Sequence, residues 1–198
     1  MNTLLLDTHL NDILVYLLED GKVVDKVEVI NKKNNSELLF PSVKKILDKY
    51  SIDEIIVING PGSFTGVRLG VTIAKTLAYT LNIPIKCVTS LEASAVSNNA
   101  KKVAISDGNG YYIGEFQDGF TKAQEYYYVK KDSSFDLEQY NQNYKLDAEK
   151  VYEYMQNKKP TNCHNVNPIY IKKIGVEIDT PSQKWRYKSD SCFRQSIT

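Results

Sequence analysis

The chain has 198 residues, with 25 Lys and Arg against 24 Asp and Glu and a net charge of +1 at pH 7. That length suits one sizeable core or two small lobes, and the near-neutral balance excludes a global field that would recruit nucleic acid or a membrane surface. No stretch approaches the roughly 20 apolar residues of a membrane span, and the cysteines Cys87, Cys163 and Cys192 lack metal-ligand spacing, which suits free thiols in a reducing, cytoplasmic setting.

The start, MNTLLLDTHL, has no basic region ahead of its apolar run, so no leader is expected. TLLLDT, DILVYLL and VVDKVEVI, the last two separated by the turn EDGK, predict a meander of strands. NNSELLFPSVKKILDKY then places Leu39, Val43, Ile46, Leu47 and Tyr50 at helical spacing. Pro41 lacks a backbone donor and is tolerated only in a first turn, so this helix is expected to begin near Phe40 or to kink there. The apolar run Ile55 to Ile58 reads as a strand buried on both faces.

Between Gly66 and Leu81 the pattern is helical, with Val67, Val71, Ala74, Ala78 and Leu81 on one stripe. Gly70, Ala74 and Ala78 form a row of small residues that would let another helix approach closely. Leu69, Ile73 and Leu77 supply a second apolar stripe, and one helix can hardly bury both on a single sheet. IPIKCVTS and LEASAVS add a strand and a short helix, which points to a mixed α/β sheet with right-handed crossovers. SNNAKK reads as a linker. Hairpin strands around DGNG and QDG follow, then the helix LDAEKVYEYMQNK with Leu146, Val151, Tyr152 and Met155 turned inward. The expected division is a first lobe over residues 1–97 and a smaller one over residues 98–198, whose last stretch, TPSQKWRYKSDSCFRQSIT, has no clear period and suits a partly disordered tail.

The chemistry concentrates in NGPGSFTGVRLG, Asn59 to Gly70. A strand, a glycine turn and a helix can present free amides and a positive helix end to an anion. No lysine follows Gly66, so the Walker pattern is absent, and Gly60, Gly62 and Gly66 do not match the dinucleotide-binding spacing. Anion binding and a tight turn capped by Ser63 or Thr65 both remain open. Arg68 either binds an anion or locks the loop by bonding its carbonyls and reaching an acid. Asp7, at the end of the first strand, is a candidate nucleotide or metal contact, with a strand-end turn residue as the plainer reading. His9 and His164 stand far apart and Cys163–His164 has no second pair, so no metal centre of that kind is expected.

Taken in order, LLLDT, SELLFP, GPGSFTGVRLG, AKTLA and IPIKCVTSLEA resemble the TsaB family, also called YeaZ, of the threonylcarbamoyladenosine pathway for tRNA. The resemblance covers residues 1–97 and implies an actin-like, RNase H-like α/β fold of two lobes with mixed sheets flanked by helices, the second lobe reduced. In that second lobe ISDGNGYYIGEF keeps Asp107, Tyr111 and Tyr112 without an arginine, and NPIYIKK carries Lys172 where the family's Pro-x-Tyr-x-Arg segment has Arg. In actin-like phosphotransferases an acid in the place of Asp7 contacts metal or phosphates.

The family implies binding rather than chemistry. This chain would be a non-catalytic subunit supporting the transferase TsaD, which acts on the adenosine beside the tRNA anticodon and holds its metal through a His-x-x-x-His pair absent here. The interface would be a helical bundle built on Leu39, Val43, Ile46, Leu47, Gly70, Ile73, Ala74, Leu77 and Ala78. A TsaE-type ATPase would join later, the chain alone would form a homodimer, and tRNA would be reached indirectly. No intrinsic cofactor is expected, with ATP or ADP at the interface between subunits. The other classes in view are an actin-like ATPase or kinase acting alone and a peptidase, the latter without a Ser/His/Asp or Cys/His constellation. Tyr126 to Tyr128 and the cations Lys184, Arg186, Lys188 and Arg194 would suit RNA stacking and a basic arm, but strand aromatics and a solvated tail explain them as well.

Overall fold

In the computed structural model the described residues are 1–30 and 35–172, together with the backbone of Trp185–Arg186. Apart from the backbone of Trp185–Arg186, the expected tail, Cys192 included, lies outside the described residues. Strands β1 (Asn2–Asp7), β2 (Ile13–Glu19) and β3 (Lys22–Val29) form the antiparallel meander. Helix α1 (Asn35–Leu47) crosses to β4 (Glu54–Ile58), and α2 (Phe64–Leu81) crosses to β5 (Ile85–Val88). Both β4 and β5 run parallel to β1, which gives the sheet order β3-β2-β1-β4-β5. Helix α3 (Ser90–Asn98) leads to a second, antiparallel sheet of β6 (Lys102–Ser106), β7 (Gly110–Glu115), β8 (Tyr127–Lys130) and β9 (Trp185–Arg186). Helix α4 (Ala148–Gln156) follows β8 in the chain.

Successive strand side chains point to opposite faces, so a central strand covered on both sides must be apolar throughout. Leu4, Leu6, Ile55, Val57 and Ile85 pack beneath α1 and α2, while Leu5, Ile56, Ile58 and Val88 pack beneath α3 and α4. Edge strand β3 alternates between exposed and half-buried residues, as one face in water demands. Helix α4 belongs in packing to the first sheet, where Ala148, Val151 and Met155 close the core on Leu5 and Leu18.

Helix α3 is buried nearly all round. Ala93 and Val96 join the core of the first sheet, whereas Leu91 and Ala95 join Val103, Ile105, Tyr112, Tyr126 and Tyr128 of the second. Its small Ala and Ser side chains let two sheets close on one helix. A capping box fixes its start: the Thr89 hydroxyl accepts from the Glu92 amide, and the Glu92 carboxylate accepts from the Thr89 amide.

One expectation is corrected here. Helix α1 starts at Asn35 rather than near Phe40, with Pro41 inside it. Pro41 and Phe40 are exposed, so water can take the carbonyl left without its donor, and the apolar stripe holds the helix in place. Tyr126 to Tyr128 are buried at and beside β8, in keeping with the reading of them as strand aromatics rather than a stacking platform for bases.

One charged pair lies inside the first core. Lys86 Nζ meets Glu54 Oε1 at 2.8 Å, both side chains buried, on the face covered by α4. Taking two charges out of water is costly, and stranding one of them costs more. Lys86→Met alone should therefore destabilise the protein by about 3–5 kcal/mol in urea denaturation, with most of the loss recovered in Glu54→Leu/Lys86→Met.

Candidate functional site

The glycine loop joins β4 to α2. Ser63 caps the helix by accepting the Gly66 amide at 3.3 Å, while Thr65 is exposed. Gly60 sits at φ +97°, a conformation costly for any other residue. The remaining glycines answer to a different demand, the close approach of the loop that follows β1. A Cβ at Gly62 would lie 2.2 Å from the His9 carbonyl oxygen, one at Gly66 2.1 Å from the Thr8 carbonyl oxygen, and one at Gly70 2.3 Å from Thr8 Oγ1. The contact is bonded as well as close: Ser63 N donates to His9 O at 2.6 Å and the Thr8 hydroxyl to Gly66 O at 2.7 Å.

Asp7 is buried at the end of β1 with both carboxylate oxygens engaged. Oδ1 accepts His9 Nδ1 at 2.6 Å and the His9 amide at 3.0 Å, and Oδ2 accepts the Tyr144 hydroxyl at 2.7 Å. A carboxylate offers only lone pairs, so Nδ1 carries the hydrogen. His9 Nε2 is buried without a partner, and its ring meets the edge of Tyr144 at 4.3 Å. Burial would raise the Asp7 carboxyl, but the His9 ring and amide and the Tyr144 hydroxyl outweigh it and hold it below the ordinary value. Tyr144 is pushed well above the usual phenol by burial and by Asp7. No cluster of His, Cys, Asp and Glu among the described residues could hold a metal ion.

Helix α2 shows three faces. Its small row, Gly70, Ala74 and Ala78, is turned inward, which corrects the expectation that it meets a partner: Gly70 receives Thr8, and Ala74 and Ala78 join the core with Leu39, Val43 and Ile46 of α1. All six are buried within the chain. Of the other expected interface residues, Leu47, Ile73 and Leu77 are half-buried, and Leu69 beside them is too. Thr65, Thr72 and Thr76 form the exposed ridge next to that flank, and Phe40 of α1 is 57% exposed.

The third face lies under a returning segment that makes a single 3-10 turn, Cys163–Asn165. Thr161 N bonds Ile85 O at 2.8 Å, Ile169 N bonds Asn59 O at 2.8 Å, and Asn59 Nδ2 bonds Asn167 O at 3.1 Å. Arg68 stacks on Phe64, 3.8 Å from the ring centre, and donates Nε to the Tyr170 hydroxyl at 2.8 Å. It ties α2 to this segment, so the expected lock on loop carbonyls and an acid is corrected. Further along, Lys75 donates to His164 O at 3.2 Å and Tyr79 meets the His164 ring edge.

Two outcomes follow from these contacts. Gly66→Ala drives a Cβ into a backbone carbonyl and should cost about 1–3 kcal/mol, whereas exposed Thr65→Ala should stay within about 0.5 kcal/mol in the same denaturation assay. Because its folded value is depressed, Asp7 contributes stability that is complete above the unfolded carboxylate value, about 3.9, and is lost as the pH falls through the folded one. The stability gap between wild type and Asp7→Asn should therefore be widest at neutral pH and shrink below about pH 4.

Residues 28–119 match the family described as TsaD, tRNA N6-adenosine threonylcarbamoyltransferase. The tRNA threonylcarbamoyladenosine biosynthesis protein TsaB of Bacillus subtilis is 40% identical over 102 residues, 49% of this chain and 44% of that protein. TsaB of Escherichia coli is 34% identical over 100 residues, 48% of this chain and 43% of that protein. The chain thus matches less than half the length of either relative. Among solved structures, YeaZ from Pseudomonas aeruginosa superposes with a TM-score of 0.65 at 20% identity over 85% of this chain and 99% of that one. The chain thus has TsaB proteins among its sequence relatives over about half its length and shares the fold of YeaZ over most of it.

Proposed function

We propose that this chain is an accessory, non-catalytic subunit in the threonylcarbamoylation of tRNA, binding a TsaD-type transferase through the outer surface of α1 and α2. The observation that carries this is the half-exposed flank Leu69, Ile73 and Leu77 of α2, with exposed Phe40 on the neighbouring α1, apolar surface that lies within the family-matched residues 28–119. Both helices are held from below by the sheet, so their outer sides form a rigid platform. The ridge Thr65, Thr72 and Thr76 is short-sided enough for a foreign helix to lie close against α2. In the absence of the transferase the same surface would serve a homodimer, and a TsaE-type ATPase with nucleotide would join at the assembled pair.

The test uses size-exclusion chromatography with light scattering on the chain and the TsaD homologue of its own organism. The wild type should give a heterodimer. Thr72→Arg/Thr76→Arg, altered only at exposed positions, should stay folded by circular dichroism and bind at least about 30-fold more weakly, the equivalent of about 2 kcal/mol. Lys130→Glu on the second sheet should bind as wild type. Absence of a complex under every nucleotide and salt condition would overturn the reading and direct attention to ATP hydrolysis by the isolated chain.

A further inference from the structure

The actin-like fold implies a nucleotide, commonly with a metal ion, set against the acid that ends the first strand and the glycine loop beside it. In this chain both positions are filled by the protein itself. We propose that His9 is the keystone of an internal clasp, joining Asp7, the glycine loop and Tyr144, and that this clasp closes the position to a magnesium nucleotide in the isolated chain.

A carboxylate has about four lone-pair directions, and three donors already point at Asp7: the His9 ring, the His9 amide and the Tyr144 hydroxyl. Mg²⁺ demands near-octahedral geometry and keeps most of its waters, so it needs an open oxygen with room around it. At Asp7 the space beyond Oδ2 holds the Tyr144 hydroxyl at 2.7 Å.

A phosphate at a helix start is held by free amides. Here Ser63 N is spent on His9 O, and Gly66 N on Ser63 Oγ. The groups pressed against Gly62 and Gly66 are the carbonyl oxygens of His9 and Thr8, which repel an anion. His9 takes part in both halves of the arrangement, giving its carbonyl to the loop and its amide and ring to Asp7.

Tyr144 gives the clasp its reach. It stands 137 residues from Asp7 in sequence, on the segment that leads into α4, so its single hydrogen bond fastens a distant stretch of chain to the end of β1. The inference concerns the isolated chain and does not depend on how a partner is bound.

Thermal unfolding tests it, with millimolar Mg-ATP or Mg-ADP as the probe and a double-mutant cycle of Asp7→Asn and Tyr144→Phe. Neither nucleotide should shift the wild-type midpoint. Each single variant should lower that midpoint by several degrees, and the double variant should fall little further than the worse single one, because both remove the same contact. Tyr144→Phe keeps its ring and its packing, so if Asp7→Asn folds poorly the midpoint of Tyr144→Phe alone still reads the contact, and an unchanged midpoint there would overturn the clasp. A midpoint raised by Mg-nucleotide in wild type and not in Asp7→Asn would overturn the closed site. Strictly additive losses would overturn the clasp.

Discussion

The first half of this molecule depends on one close contact, the loop after β1 laid backbone to backbone against the start of α2. Three glycines make it possible, since a Cβ at Gly62, Gly66 or Gly70 would fall within 2.3 Å of Thr8 or His9 atoms. Once that contact is made, much else is determined. The first turn of α2 is pinned to β1, the small row Gly70, Ala74 and Ala78 must face the core, and the flank carrying Leu69, Ile73 and Leu77 must turn toward the outside. Asp7, at the strand end just before the contact, is left in a buried corner where its charge requires donors, and His9 and Tyr144 provide them.

Much of this was legible in the sequence. The all-apolar run Ile55 to Ile58 marked a strand covered on both faces, and LEASAVS announced a short helix without an obvious polar side, which is how a helix buried nearly all round must look. A cap at Ser63 or Thr65 was also readable, since short hydroxyls next to a helical pattern are built for that use, and it is Ser63 that provides it.

Other features could not be read because their cause is not local. Two apolar stripes on α2 have the same period, and only the position of Thr8 decides which of them turns inward. Tyr144 gives no signal of its own, being one tyrosine in a polar stretch far from Asp7. The segment over α2 has no period at all, since its order comes from side chains such as Asn59 and Arg68 that reach it from other elements. At α1 the proline outweighed the apolar stripe in sequence reasoning, whereas in the fold the stripe prevails.

Helix α3 has an implication for how the molecule comes apart. Ala93 and Val96 are bound into one sheet's core and Leu91 and Ala95 into the other's, so the two sheets share a helix rather than meet across a linker. Severing the chain beyond α3 would strip apolar cover from that helix on one side and would remove α4 from the face of the first sheet. A fragment that ends after α3 is therefore not a free-standing globule. It would expose aliphatic surface in two places, and in a cell such a fragment is material for proteases and chaperones rather than a smaller working protein.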